Sequence, residues 1–166
     1  MARRFRGESA NKVDAKGRVS IPAGFRRVLE AGDPDWTEGL NPNMVIVYGD
    51  PRKKFLDCFT INAIEEVDQK IEALPRGSQQ RKALEWLYSA GAMPCQIDDT
   101  GRIVLTQKLR DKTGITNEAL FVATGDTFQI WEPSAHAAEQ TRFEAWLDEQ
   151  PDDFDPLTYL DTFDGA

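Results

Sequence analysis

The sequence predicts an α+β fold built from two related halves, and two observations support this. First, the chain resembles itself at a displacement of 84 positions: residues 14–21 (DAKGRVSI) align with residues 98–105 (DDTGRIVL). Second, each half alternates short apolar runs of strand length with stretches whose apolar residues recur every three or four positions. Two copies indicate a duplication rather than a solenoid.

Each half opens with an extended segment that ends in a tight turn. Asp14 suits the first position of a type I turn and Gly17 suits the fourth, where a left-handed backbone is often needed. Asp98 and Gly101 occupy the same two positions in the second half. A short apolar strand follows each turn, so we expect a pair of equivalent hairpins in which these four residues orient the turn.

A helix is predicted after each of these strands. Pro22 fits the first helical position in the first half, and Gly32 lies just beyond the helix end. In the second half, Thr106 can cap the equivalent helix and Gly114 can end it. The apolar residues expected on the inner faces are Phe25, Val28, Leu29 and Leu109.

Two further strands and a helix complete each half. The predicted strands are residues 44–48, 55–59, 120–123 and 128–131. Asn62 and Glu65 form a predicted capping box for the helix of the first half, and Pro75 ends that helix. Pro133 opens the corresponding helix of the second half, which runs through Leu147.

These elements divide the chain into four segments. They are a first repeat at residues 1–77, a linking helix at residues 78–90, a second repeat at residues 91–148 and an acidic tail at residues 149–166.

The charge is unevenly distributed along the chain. Acidic residues outnumber basic ones by 28 to 20, a formal charge of −8 that by itself argues against a general nucleic-acid coat protein. Residues 1–30, however, carry eight basic and three acidic side chains, whereas residues 132–166 carry ten acids and one arginine. The sequence therefore predicts a basic N-terminal face on an otherwise acidic protein.

Several classes of protein are disfavoured by what the sequence lacks. Cys58 and Cys95 form no CxxC pair, so neither a disulfide scaffold nor a cysteine-rich zinc site is expected. No apolar run has the length of a membrane span or a secretory signal, which predicts a cytoplasmic protein. His136 and Glu139 are spaced as two metal ligands on one helix face could be, but two ligands alone are a weak indication of a metal site. The sequence contains no phosphate-binding loop and no pattern of a nucleophile with a neighbouring base. We expect no enzyme activity, no cofactor and no metal.

The duplicated Asp-x-x-Gly-Arg turn, the opening Phe5-Arg6-Gly7-Glu8 and residues 14–22 (DAKGRVSIP) resemble the MraZ family over residues 4–148. This resemblance implies two pseudo-symmetric AbrB-like swapped-hairpin β-barrel halves with flanking helices, assembled into homo-oligomeric rings. It also implies a nucleoid-associated transcriptional regulator of the bacterial division and cell-wall gene cluster. Its expected partners are double-stranded promoter DNA, bound at short direct repeats, and other copies of itself.

The basic residues of the hairpins are the candidate DNA-binding residues. A guanidinium at Arg18 can bind phosphate or a guanine edge, but it can equally pair with Asp14 across the turn. The family's Asp-x-x-x-Arg signature falls on Asp14 and Arg18, and again on Asp98 and Arg102, which favours DNA contact. Lys16, at the tip of the first turn, is a predicted phosphate contact.

The second hairpin and the N-terminus differ from the first hairpin. Thr100 occupies the position of the first turn's lysine and Asp99 adds a negative charge, so Arg102 is a weaker candidate for DNA contact than Arg18. Arg3 and Arg4 either form a flexible arm on the phosphates or belong to a terminus that only aids solubility.

Two alternative functions remain at this point. The chain could be a ring-forming protein-interaction scaffold in which the Asp–Arg pairs are purely structural. The least favoured alternative is an enzyme, which would need a pocket built from Asp14, Asp98 and Asp99. The acidic tail could compete with DNA for the basic hairpins, or it could simply keep the protein in solution.

Overall fold

A computed structural model of the chain describes residues 4–162, and its elements mix helices with antiparallel sheets. The strands are β1 (Glu8–Lys12), β2 (Arg18–Ser20), β3 (Asn43–Val47), β4 (Leu56–Thr60), β5 (Ala92–Gln96), β6 (Arg102–Val104), β7 (Glu118–Ala123) and β8 (Thr127–Trp131). The helices are α1 (Ala23–Ala31), α2 (Ile61–Glu72), α3 (Gln79–Glu85), α4 (Gln107–Thr113), α5 (Pro133–Asp148) and α6 (Thr158–Thr162), with a π-helical turn at Trp86–Ala90. The predicted α+β class is confirmed.

Strands of the two halves pair with one another. The larger sheet has the order β1-β7-β8-β4-β3-β5, and a separate two-stranded sheet joins β2 to β6. The first strand of each half therefore pairs with the other half, β1 with β7 and β5 with β3. The two halves also meet at the middle of the large sheet, where β4 pairs with β8.

The displacement of 84 positions holds for the first three elements of each half. β1 and β5 start at Glu8 and Ala92, and α1 and α4 start at Ala23 and Gln107. The correspondence shifts after α1, because residues 32–42 link it to β3 whereas only residues 114–117 link α4 to β7. The repeat is thus strongest around the hairpins.

Most helix ends follow the predicted capping residues. The Thr106 hydroxyl accepts a hydrogen bond from the Leu109 N–H at 3.4 Å, and Gly114 ends α4 with a left-handed backbone. Pro133 begins α5, as predicted. Pro22 lies one position earlier than predicted, at the N-cap of α1.

The predicted capping box of α2 is wrong. Thr60, not Asn62, caps this helix: its hydroxyl accepts a hydrogen bond from the Ala63 N–H at 3.0 Å. Thr60 ends β4 in an extended conformation, which is also the conformation of an N-cap residue, so the strand passes directly into the helix.

The linking helix changes type along its length. It is α-helical over Gln79–Glu85 and then widens into the π-helical turn, where the Gly91 N–H donates to the Trp86 carbonyl at 3.0 Å. Gly91 also packs closely on Gly49, where an added Cβ would lie 2.7 Å from the neighbouring Cα. Close backbone approach at the end of this helix therefore accompanies the change.

One hydrophobic core serves both halves. The Phe25 ring of α1 lies 5.2 Å from Phe5 and 5.1 Å from Phe128, the latter in the second half. Leu109, which occupies the position equivalent to Phe25 in the second half, is 1% exposed in the same cluster. The core therefore holds the first turns and α1 and α4 together as one unit.

The C-terminal part of the described chain is much more exposed. Almost all of α5 is exposed, and Phe143 and Trp146 stack on its surface at 5.8 Å. Phe154 packs edge-on against Trp146 at 5.9 Å, which folds the acidic tail back onto α5. Across residues 4–162, no helix is long and apolar enough to cross a membrane.

Candidate nucleic-acid interface

The two hairpins meet in the β2–β6 ribbon, the two-stranded sheet of Arg18–Ser20 and Arg102–Val104. The register pairs Arg18 with Val104, Val19 with Ile103 and Ser20 with Arg102. Side chains alternate along a strand, and Val19 and Ile103 are buried at 1% and 2% exposure. Arg18 and Arg102 therefore share the outer face, as diagonal neighbours at roughly 7–8 Å.

Hydrogen bonds extend the ribbon into both turns. The Gly17 carbonyl accepts from the Leu105 N–H at 2.7 Å, and the Gly101 carbonyl accepts from the Ile21 N–H at 2.9 Å. The two predicted turns therefore lie at opposite ends of one ribbon. Their relative position is determined by pairing between the halves rather than by either hairpin alone.

The first turn is organised by the Asp14 carboxylate. Its Oδ1 accepts hydrogen bonds from the N–H groups of Lys16 and Arg18, each at 2.9 Å, and its Oδ2 accepts from Arg18 Nε at 2.7 Å. The Arg18 backbone N–H, followed by the Arg18 side chain and the Lys16 N–H, lowers the pKa of Asp14 below its ordinary value. Asp14 is therefore charged at neutral pH and orients the arginine.

Arg18 keeps hydrogen-bonding capacity beyond this contact. Only its Nε is engaged, and within residues 4–162 its two Nη groups have no protein partner. The side chain is 38% exposed, and Lys16 is exposed beside it at the turn tip. The outer edge of the guanidinium is thus free to form a bidentate contact with a ligand.

The second turn resembles the first but is less basic. Asp98 Oδ1 accepts from the N–H groups of Thr100 and Arg102, each at 2.9 Å, while Arg102 Nε donates to the Thr100 hydroxyl at 2.8 Å. Arg102 Nε lies 3.6 Å from Asp98 Oδ2, so this ion pair is looser than the first. Asp99 is exposed and accepts from the Asn41 side chain at 2.7 Å.

Two arginines that the sequence analysis did not select cross from each half to the other. The Arg26 guanidinium lies directly against Gly101, and the Arg110 guanidinium carbon lies 3.4 Å from where a Cβ of Gly17 would be. Both arginines are half-buried. Arg26 and Arg110 occupy equivalent positions in the two repeats, 84 residues apart. Their equivalence could have indicated that both arginines support the turn of the opposite half.

The N-terminal basic residues are only partly described. Arg4 lies 3.8 Å from Asp126, with both side chains about half exposed. Phe5 is buried, and its N–H donates to the Gly125 carbonyl at 2.8 Å, so the backbone is held immediately after Arg4. Arg3 lies outside the described residues.

Within residues 4–162, the histidine, the cysteines and the acidic residues do not come together as a second candidate site. No group of three or more His, Cys, Asp or Glu side chains is placed to hold a metal ion in the part of the chain from residue 4 to 162. His136 packs edge-on against Trp131 at 5.4 Å. Burial raises the pKa of Cys58 well above its ordinary value and that of Cys95 to about 11, so both thiols are protonated at neutral pH.

Comparison with known proteins identifies the family. A family model described as "MraZ protein, putative antitoxin-like" matches residues 89–152. A protein of Ruegeria pomeroyi named "Transcriptional regulator MraZ" is 60% identical over the full length of both chains. The chain belongs to the MraZ family. Proteins of the same name from a second Ruegeria strain and from Cereibacter sphaeroides are 58% and 45% identical, the latter over 84% of this chain and 86% of its own.

Membership of the MraZ family confirms the resemblance that the two hairpin motifs predicted. The names of these relatives describe regulation of transcription rather than an enzyme class. The family model covers the second hairpin, while the full-length relatives cover both hairpins and the acidic tail.

Proposed function

We propose that this chain is a DNA-binding transcriptional regulator that reads promoter DNA with the β2–β6 ribbon. The observation that carries the proposal is the shared outer face of the ribbon, where Arg18 and Arg102 stand together over a buried inner face. A two-stranded ribbon fits the major groove of DNA, which is about 12 Å wide. The names of the relatives support the regulatory role.

Arg18 is the principal reader in this proposal. Asp14 holds Nε, which presents the two Nη groups outward as a pair suited to the O6 and N7 acceptors of a guanine. Lys16 at the turn tip contacts a phosphate and sets the register of the ribbon on the duplex.

The remaining basic residues contribute less. Arg102 faces the same groove, but Asp98 and Asp99 reduce the positive potential at its end of the ribbon. Arg3 and Arg4 add phosphate contacts that increase affinity without adding specificity. We therefore propose an order of importance in which Arg18 precedes Arg102.

The wider assignment rests on the family. The exchange of strands between the halves supports an AbrB-like swapped-hairpin arrangement, with repeats at residues 1–77 and 91–148 joined by the segment 78–90 and followed by the tail 149–166. We propose a cytoplasmic, nucleoid-associated protein that regulates the bacterial division and cell-wall gene cluster. A homo-oligomeric ring presents many ribbons, and direct promoter repeats engage several at once through effective concentration.

The test is binding of full-length variants to DNA from upstream of the chain's own gene, followed by fluorescence anisotropy. A bidentate arginine–guanine contact accounts for about 1–3 kcal/mol, so Arg18→Ala should weaken binding roughly tenfold to hundredfold. Arg76→Ala, at an exposed arginine between α2 and α3, is the matched control and should bind as the unmodified chain does. Normal binding by Arg18→Ala would show that the ribbon is not the reader.

The scaffold alternative has one observation in its favour, since both predicted Asp–Arg pairs form. The Asp14–Arg18 pair is short at 2.7 Å, as a structural role requires. In that case no upstream DNA would bind at moderate salt, and Arg18→Ala would lower the melting temperature instead. The same set of variants therefore separates the two functions.

A further inference from the structure

A basic groove lies on the large sheet away from the ribbon, between the β3–β4 loop and α5. Its volume is about 640 Å³. Phe55 and Trp131 form its floor, with their rings stacked at 4.6 Å and 22°. The groove is defined by this floor and by four basic side chains on its rim, Arg52, Lys53, Lys54 and Arg142.

The rim carries more positive than negative charge, because its four basic side chains are accompanied by one acidic side chain, Glu139, which pairs with Arg142. Arg52 is bonded to Asp50 but remains 84% exposed, and Lys53 lies 3.7 Å from Asp57. Lys54 is exposed and has no ion-pair partner within the described residues. An aromatic floor beneath a cationic rim suits a peptide that combines acidic with apolar side chains.

The C-terminal tail of this chain has that composition. Residues 149–166 contain six acidic and no basic side chains. Leu157 and Leu160 are 67% and 72% exposed, next to Asp155 and Asp161. Both leucine side chains are therefore available for contact with another surface.

The tail does not fill the groove of its own chain. Phe154 packs against Trp146 near the C-terminal end of α5, and Tyr159 packs in turn on Phe154. The residues lining the groove come instead from the β3–β4 loop, β8 and the first part of α5. A chain therefore offers both an open groove and an exposed tail.

We propose that the acidic tail of one copy docks in the basic groove of the next. Leu157 and Leu160 lie on the Phe55–Trp131 floor, and the carboxylates of the tail face the basic rim. Because the two surfaces differ, the contact is head-to-tail, and such contacts close into rings when the rotation between copies allows it. The inference deepens the proposed function, on whose homo-oligomeric ring it rests.

The experiment is a charge swap between two full-length variants. The groove variant carries Lys53→Glu and Lys54→Glu, and the tail variant carries Asp153→Lys and Asp161→Lys. A control with Lys70→Glu and Lys82→Glu makes the same charge change at exposed lysines of α2 and α3. Masses are measured by sedimentation velocity, and circular dichroism verifies folding.

Each reversed variant alone should sediment at about half of the wild-type mass or less, because its tail and groove repel. Mixing the two should restore the wild-type mass, since each tail then meets a groove of opposite charge. The control should keep the wild-type mass. If a reversed variant is poorly folded, Leu157→Asp with Leu160→Asp tests the apolar part of the same contact and should also lower the mass.

Three outcomes would overturn the inference in distinguishable ways. Rings that persist in both reversed variants would exclude tail docking and leave the proposed DNA-reading ring intact. A wild-type monomer would exclude the docking together with the ring. Unchanged mass with altered DNA affinity in the tail variant would instead indicate that the tail competes with DNA for the ribbon.

Discussion

Arg18 and Arg102 have the same sequence surroundings but different chemical settings. Arg18 Nε is held by a carboxylate at 2.7 Å, whereas Arg102 Nε is held by the Thr100 hydroxyl at 2.8 Å. Lys16 extends the positive charge at the first turn, while Asp99 offsets it at the second. The two ends of one ribbon thus differ in the charge they offer to a polyanion.

Lys16 should contribute to affinity through charge alone. Lys16→Ala should weaken binding to all DNA sequences by a similar factor, because a phosphate contact carries no base information. It should also reduce the slope of log affinity against log salt by about one for each ribbon engaged. Anisotropy titrations at several salt concentrations measure this. A loss restricted to promoter DNA would place Lys16 against a base instead.

Asp14 should make stability sensitive to acid. Hydrogen bonds from the Arg18 N–H, the Arg18 side chain and the Lys16 N–H lower its pKa in the folded chain below the ordinary value of 3.8. The folded state therefore binds this proton less readily than the unfolded state, and the stabilisation is lost as the pH falls through the folded pKa. Asp14→Asn should therefore reduce the decrease in the free energy of unfolding that occurs below about pH 4.

Urea unfolding between pH 2 and pH 6 tests this expectation. Asp152→Asn, which removes an exposed carboxylate of the tail, is the control. It should leave the fall in the free energy of unfolding at acid pH unchanged. An equal effect of the two substitutions would assign the acid sensitivity to overall charge rather than to the turn.

At the scale of the element, the ribbon depends on a glycine at each turn. Gly17 has φ +83°, and an added Cβ would collide with the Leu105 carbonyl oxygen across the ribbon. Gly101 has φ +79°, and there the obstacle is the Arg26 guanidinium. The left-handed conformation favours glycine at both positions, and at Gly17 the facing backbone excludes a Cβ as well, whereas at Gly101 the Arg26 side chain can move aside.

Gly7 allows the effect of backbone conformation to be measured separately from the effect of close contact. It has the same φ of +83°, but open space surrounds its missing Cβ. Gly7→Ala should cost about 1 kcal/mol through backbone strain, which corresponds to a fall in melting temperature of roughly 2–4 °C. Gly17→Ala should lower the melting temperature by about twice as much or more, because the clash is added to the strain. Equal shifts in thermal melts would show that β2 and β6 are not in close contact.

At the scale of the molecule, the two repeats share one large sheet and one core. In the large sheet, three strand pairs each join a strand of the first half to a strand of the second: β1–β7, β3–β5 and β4–β8. The Phe5, Phe25 and Phe128 rings likewise combine both halves in one core. We therefore expect that neither half unfolds while the other keeps its sheet.

This sharing predicts a single thermal transition. Phe25→Ala and Leu109→Ala remove equivalent buried side chains from the two halves and should each cost about 2–5 kcal/mol. Both should move one calorimetric peak to lower temperature without splitting it. A peak that divides in two, with only one part shifted, would show that the halves unfold separately.

The turns and most helix ends could be predicted because their causes are local. Gly114 ends α4 through its own backbone conformation, and Thr106 caps α4 through a residue three positions away. The cap of α2 was mispredicted because Thr60 belongs to both a strand and a helix. Local spacing does not show where the preceding strand ends.

The sequence by itself determined the duplication, the two Asp–Arg turns, the basic N-terminal segment and the family. These depend on residue identity and on interactions across four positions or fewer. Only the tertiary structure decided that β2 pairs with β6, that Arg18 and Arg102 therefore share a face, and that Arg26 and Arg110 cross between the halves. A strand of three residues is too short to specify its partner or register, so burial of Val19 and Ile103 in the common core makes that choice.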